Sequence, residues 1–154
     1  MGSIQTGLAI TNPGTSSANI NFALNRLDGT ATGLTGNLTV PGNGQTALFL
    51  NEIPGFASVP GPFKGVLRMQ STVPISVVGL RGRYNERSDF LITTTAPSNE
   101  ASPFSNGFLY FPHLADSGGY TTQFILLSGQ LTQAPAGTLE LFSQTGQPLT
   151  LQFQ

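Results

Sequence analysis

At 154 residues, with no Cys and a net charge of -1, the chain excludes disulfide staples, Cys-based zinc sites and a basic run for nucleic-acid binding. Charged residues make up 8%, against about 25% in an ordinary globular chain, so the polar surface must consist of Thr, Ser, Asn and Gln. Without interspersed Lys and Glu such a surface points to an extracellular or cell-surface setting. There is no polybasic patch and no apolar stretch of about 18 residues, so no membrane insertion is expected. The size suits one domain or two small modules, able to bury roughly 70% of the unfolded surface.

Met1-Gly2-Ser3 reads as an addition ahead of the native sequence, and the start lacks the charged and apolar regions of a signal peptide. Ile4 to Thr11 alternates as a strand, with Ile4, Thr6, Leu8 and Ile10 on one face, and Asn12-Pro13-Gly14 ends it. In the next strand Ile20, Phe22 and Leu24 oppose Asn19, Asn21, Ala23 and Asn25, the pattern of a sheet with one wet face. Asp28-Gly29 then supplies the positive backbone angles of a tight hairpin turn.

Further strands are expected at Thr32 to Val40, Gln45 to Leu50, Phe63 to Gln70, Ile75 to Arg83 and Phe90 to Thr95. Pro41-Gly42-Asn43-Gly44 is a turn, and the Pro- and Gly-rich loop from Asn51 to Pro62 uses Ile53 and Phe56 as plugs over the sandwich end. Ala96 to Asn106 reads as a linker or long loop. After it come strands at Phe108 to Phe111, Tyr120 to Leu127, Thr138 to Phe142 and Leu149 to Phe153. No window shows ten residues of helical periodicity free of Gly or Pro. The expected fold is therefore all-β, an immunoglobulin-like antiparallel β-sandwich of about ten short strands with almost no helix.

The second part of the chain repeats the first. Thr6-Gly7-Leu8-Ala9-Ile10 matches Thr122-Gln123-Phe124-Ile125-Leu126, while Phe22, Leu24, Gly29, Thr32 and Leu34 match Leu139, Leu141, Gly146, Leu149 and Leu151. The organisation expected is a first unit over 4–95, a linker over 96–106 and a partial second unit over 107–154. That second unit either completes the sandwich or pairs with a neighbouring copy. Leu139, Leu141, Leu149, Leu151 and Phe153 are the candidate inter-subunit strand residues, because open edges associate unless blunted.

Five of the thirteen charged side chains fall between Arg81 and Asp89. Arg81, Arg83, Asn85, Glu86, Arg87 and Asp89 form a candidate polar corner, structural or able to meet a carboxylate or acidic sugar. Glu86 and Asp89 are the only close carboxylate pair, but three guanidinium groups favour the ionised form of both and remove the proton donor that glycoside hydrolysis needs. His113, with Asp116 and Ser117 nearby, offers triad residue types without a nucleophile elbow. One His and no Cys are too few ligands for a transition metal, and the acids lack calcium-loop spacing. No enzyme activity, metal or cofactor is expected. Tyr84, Tyr110 and Tyr120 are candidates for stacking on a glycan. Asn37-Leu38-Thr39 is a glycosylation sequon whose plain reading is a polar strand.

Leu80-Arg81-Gly82-Arg83, Asn85-Glu86-Arg87 and Asp89-Phe90-Leu91, followed by Tyr110-Phe111-Pro112, Ala115-Asp116 and Gly118-Gly119-Tyr120-Thr121-Thr122, carry a resemblance. With Gly7-Leu8-Ala9-Ile10-Thr11-Asn12-Pro13 at the start, the chain resembles an uncharacterised tandem β-sandwich module of large secreted or surface bacterial proteins. The resemblance implies an extracellular sandwich in tandem arrays and no transferable catalysis. His113 stands where an amide is more usual in that pattern. The expected function is a structural module that associates with copies of itself or neighbouring repeats, as filament, stalk or adhesin segment. The alternative is a carbohydrate-binding module.

Overall fold

The computed structural model describes residues 4–100, 108–115, 118–124 and 138–150. The chain divides into two units, Met1–Ser98 and Asn99–Gln154. Among the described residues there are nine strands, no α-helix and one short 3-10 turn, Leu50–Glu52. The class is all-β and every strand pair is antiparallel.

The first unit holds β1 (Ile4–Thr11), β2 (Ala18–Arg26), β3 (Ala31–Val40), β4 (Gln45–Phe49), β5 (Gly65–Ser71), β6 (Ser76–Tyr84) and β7 (Phe90–Thr95). They form a four-stranded sheet in the order β4-β1-β6-β7 and a three-stranded sheet in the order β3-β2-β5. Both sheets feed one core. Leu8 and Ile10 of β1 meet Ala18, Ile20, Phe22 and Leu24 of β2 and Val40 of β3. The alternation of β2 is the reason, since its apolar side chains are buried while Asn19 and Asn21 are exposed. Ile53 and Phe56 plug the core as the loop composition led us to expect, and the Phe56 ring meets Phe22 edge to face at 6.4 Å.

One polar residue belongs to that core. Asn12 is fully buried, and its Nδ2 donates to the carbonyls of Ser16 at 2.8 Å and of Val40 and Pro41 at 3.1 Å. Its Oδ1 accepts from the Gly14 N–H at 3.1 Å. The amide thus ties the β1–β2 loop to the β3–β4 turn, where Gly44 also accepts the Asn12 backbone N–H.

Three hairpins share one turn. The Arg26 N–H donates to Thr30 O and the Gly29 N–H to Arg26 O; Asn85, Ser88 and Asp89 repeat the pattern, as do Ser143, Gly146 and Gln147. Gly29, Ser88 and Gly146 all have positive φ, the mark of a three-residue loop closed by a bulge. This corrects the expected Asp28-Gly29 turn, because only Gly29 of the two takes a positive φ.

The second unit contains β8 (Leu141–Phe142) and β9 (Pro148–Leu149). The pair Phe142↔Pro148 stands at the same offset from its turn as Asn25↔Ala31 does in the first unit. The match of Gly29 to Gly146 is accompanied by the same register and turn hydrogen bonds, a turn that Asn85–Asp89 also forms outside the matched segments. Phe108 to Phe111, expected as a strand, is irregular and exposed; no ladder partner lies beside it among the described residues. Tyr120 makes a single bridge and Thr121 to Phe124 are likewise irregular, while Ile125 to Leu127 and Leu151 to Phe153 lie outside the described residues.

Candidate functional site

The β6–β7 hairpin carries the charged stretch. β6 pairs with β1 on one side and β7 on the other, so Thr6, Arg81 and Thr93 share a row, as do Ile4, Arg83 and Leu91. Those rows continue the core-facing side of the sheet beyond the core, since Leu8 and Ile10 have the same parity. Arg81 lines a cleft of about 270 Å³ with Leu67, Met69, Val77, Gly79 and Thr95, at the open side between the sheets.

The loop is built around Asn85. Its Oδ1 accepts from the N–H groups of Arg87 at 2.9 Å and Asp89 at 2.8 Å, while its Nδ2 donates to Asp89 Oδ2 at 3.0 Å. Arg87 Nε stands 3.3 Å from the same oxygen, and Arg83 is 3.9 Å from Glu86. All four charged partners are largely exposed, so each pair contributes at most about 1 kcal/mol. Asn85 and Asp89 are therefore turn residues, and the charges of Arg83, Glu86 and Arg87 meet within the corner. Arg81 has no acid within 4 Å among the described residues.

The other face of this hairpin is apolar. Gly82 and Tyr84 on β6 pair with Ile92 and Phe90 on β7, and the Tyr84 and Phe90 rings lie 5.0 Å apart. Every residue of β7 is exposed, with Phe90 at 41%, Leu91 at 47% and Ile92 at 57%. Sequence reading placed the strand but missed its character. The signal was the unbroken Phe90-Leu91-Ile92 run, which alternation would not produce in a strand with one wet face.

The remaining candidates are scattered. Tyr110, Tyr120 and His113 are exposed on irregular backbone of the second unit, where Asp116 and Ser117 lie outside the described residues. Leu139 and Leu149 are exposed and Leu141 half-buried on the β8–β9 hairpin, with Leu151 and Phe153 outside the described residues. Asn37 sits exposed on β3 opposite Asn21, and Thr39 of the sequon donates its hydroxyl to Asn19 Oδ1 at 2.9 Å.

No family model, curated protein or solved structure matches this chain.

Proposed function

We propose that this chain is a non-enzymatic structural module of an extracellular or cell-surface protein, an immunoglobulin-like sandwich used in tandem, whose copies associate by strand pairing. The observation that carries the reading is β7. Among the described residues it is an edge strand, apolar on both faces at Phe90, Leu91 and Ile92, and exposed along its whole length. A strand apolar on both faces is the composition of a sheet interior, and an open edge is a template for another chain. The tandem part of the reading draws on the match of Phe22, Leu24 and Gly29 to Leu139, Leu141 and Gly146, with the same turn at both glycines.

Negative-stain microscopy with sedimentation of the purified chain over a range of concentrations tests it. Filaments or discrete oligomers are expected; a monomer at every concentration would sink the reading. A second reading, a carbohydrate-binding module, is favoured by the exposed Tyr84 and Phe90 rings beside Gly82. A glycan array probed with soluble chain decides that case, and silence across the array removes it.

A further inference from the structure

We propose that two copies of this chain join through β7, antiparallel and about a two-fold axis, with Leu91 of one opposite Leu91 of the second copy. The proposal rests on the self-association argued above and names its surface and register.

Among the described residues, the four edges of the two sheets of the first unit are not equivalent. At the middle of β3 the Pro54-Gly55 turn lies against Gly36 and the Thr35 carbonyl, so a further strand cannot pair there unhindered. On β4 the Phe49 N–H is taken by Glu52 Oε2 at 2.6 Å. On β5 the middle of the edge carries a charge, Arg68, and Leu67 and Met69 are half-buried. β7 has none of these devices. Phe90–Thr95 contains no charge, no proline and no break in its register with β6.

Its backbone is also aimed outward. Asn85 and Asp89 form a hydrogen-bonded pair at 3.0 Å, so by alternation Arg83↔Leu91 and Arg81↔Thr93 are the next such pairs. The N–H and C=O groups of Phe90, Ile92 and Thr94 therefore point away from β6 to the open edge.

Two registers keep the apolar residues of two such strands together, centred on Leu91 or on Ile92. A two-fold axis normal to the sheet keeps each side chain on its own face. Centring on Leu91 sets Phe90 opposite Ile92 of the second copy, each pair exchanging both backbone bonds. It sets Asp89 opposite Thr93, whose other neighbour is Arg81. Arg81 and the second copy's Asp89 are then two strand spacings apart, about 9.6 Å, on one face, a gap that an extended arginine and a carboxylate close between them. Both contacts of Asp89 within its own loop use Oδ2, which leaves Oδ1 directed to neither. Centring on Ile92 would instead set Asp89 opposite Thr95, whose neighbour is Gly79, with no base in the row. Charge complementarity selects the Leu91 register, and by symmetry it acts twice.

The chain has no cysteine, which makes the register readable by cross-linking. Leu91 would face its copy in a non-hydrogen-bonded pair, where Cα atoms approach to about 4.5 Å, within disulfide range. Under mild oxidation Leu91→Cys is expected to run as a covalent dimer and Ile92→Cys as a monomer. The unmodified chain is expected to sediment at twice its 16.1 kDa, and Ile92→Lys or Thr94→Lys, both exposed and facing away from the core, at half that mass with the melting transition retained. Oligomers that persist in both lysine variants, without a Leu91 disulfide, would overturn this joint while leaving self-association standing. A disulfide at Ile92→Cys but not Leu91→Cys would overturn the register, and an unmodified chain that stays monomeric would overturn both proposals.

Discussion

The ring of Phe90 lies across Gly82 of the neighbouring strand, in the space a β-carbon at that position would need. That contact explains why this position, buried in a strand whose neighbours Arg81 and Arg83 are exposed, holds glycine: the missing side chain lets the aromatic ring lie on β6. Gly42 is different, because a β-carbon there would meet the Thr15 backbone, which has no free end to move. Gly82→Ala should cost less than about 1 kcal/mol as Phe90 swings outward, whereas Gly42→Ala should cost about 2 to 3 kcal/mol. Urea titration of the two variants measures the difference.

Asn12 makes three donor contacts to carbonyls of two loops. Asn12→Ala leaves the Val40 carbonyl unpaired in a buried site and removes the contacts to the partly buried Ser16 and Pro41 carbonyls, and is expected to cost about 3 kcal/mol. Asn12→Asp should cost more, since it sets a carboxylate against the same oxygens. Thermal melts rank the two, and an unchanged melt for Asn12→Ala would refute the clamp.

Ser88 holds the positive φ of 65° that Gly29 and Gly146 hold in the matching turns. A left-handed conformation costs a non-glycine residue about 1 to 2 kcal/mol. Ser88→Gly should therefore stabilise the chain by up to about 1 kcal/mol, after allowing for the greater freedom of glycine in the unfolded state. The midpoint of chemical denaturation should rise.

Asp28 is held below the usual carboxylate range, first by the Thr30 hydroxyl and then by the Thr30 backbone N–H. Because the folded value lies below the unfolded one, its contribution is present above the unfolded value and fades as pH falls through the folded one. Thr30→Val should raise the Asp28 titration toward its ordinary position, as followed by NMR, and the exposed site makes the effect on melting small.

The sequence by itself determined the class and the strand positions in the first unit. The alternation of Ile20, Phe22 and Leu24 against asparagines allows only one face to be buried, and the glycines at positions 29 and 146 fix where the chain turns back. Local chemistry sufficed there, because periodicity and positive φ are properties of neighbouring residues. Phe108 to Phe111 shows the converse, since strand-like composition there is irregular backbone with no ladder partner among the described residues. Only the tertiary structure decided that Asn12 is a core residue, that Asn85 and Asp89 serve the turn, and that β7 stands at an edge among the described residues. Each depends on which distant strands lie adjacent: Asn12 on β3 arriving beside it, and the exposure of Phe90, Leu91 and Ile92 on the strand order β4-β1-β6-β7. Sheet order comes from long-range pairing in one shared core, which no local window of residues encodes.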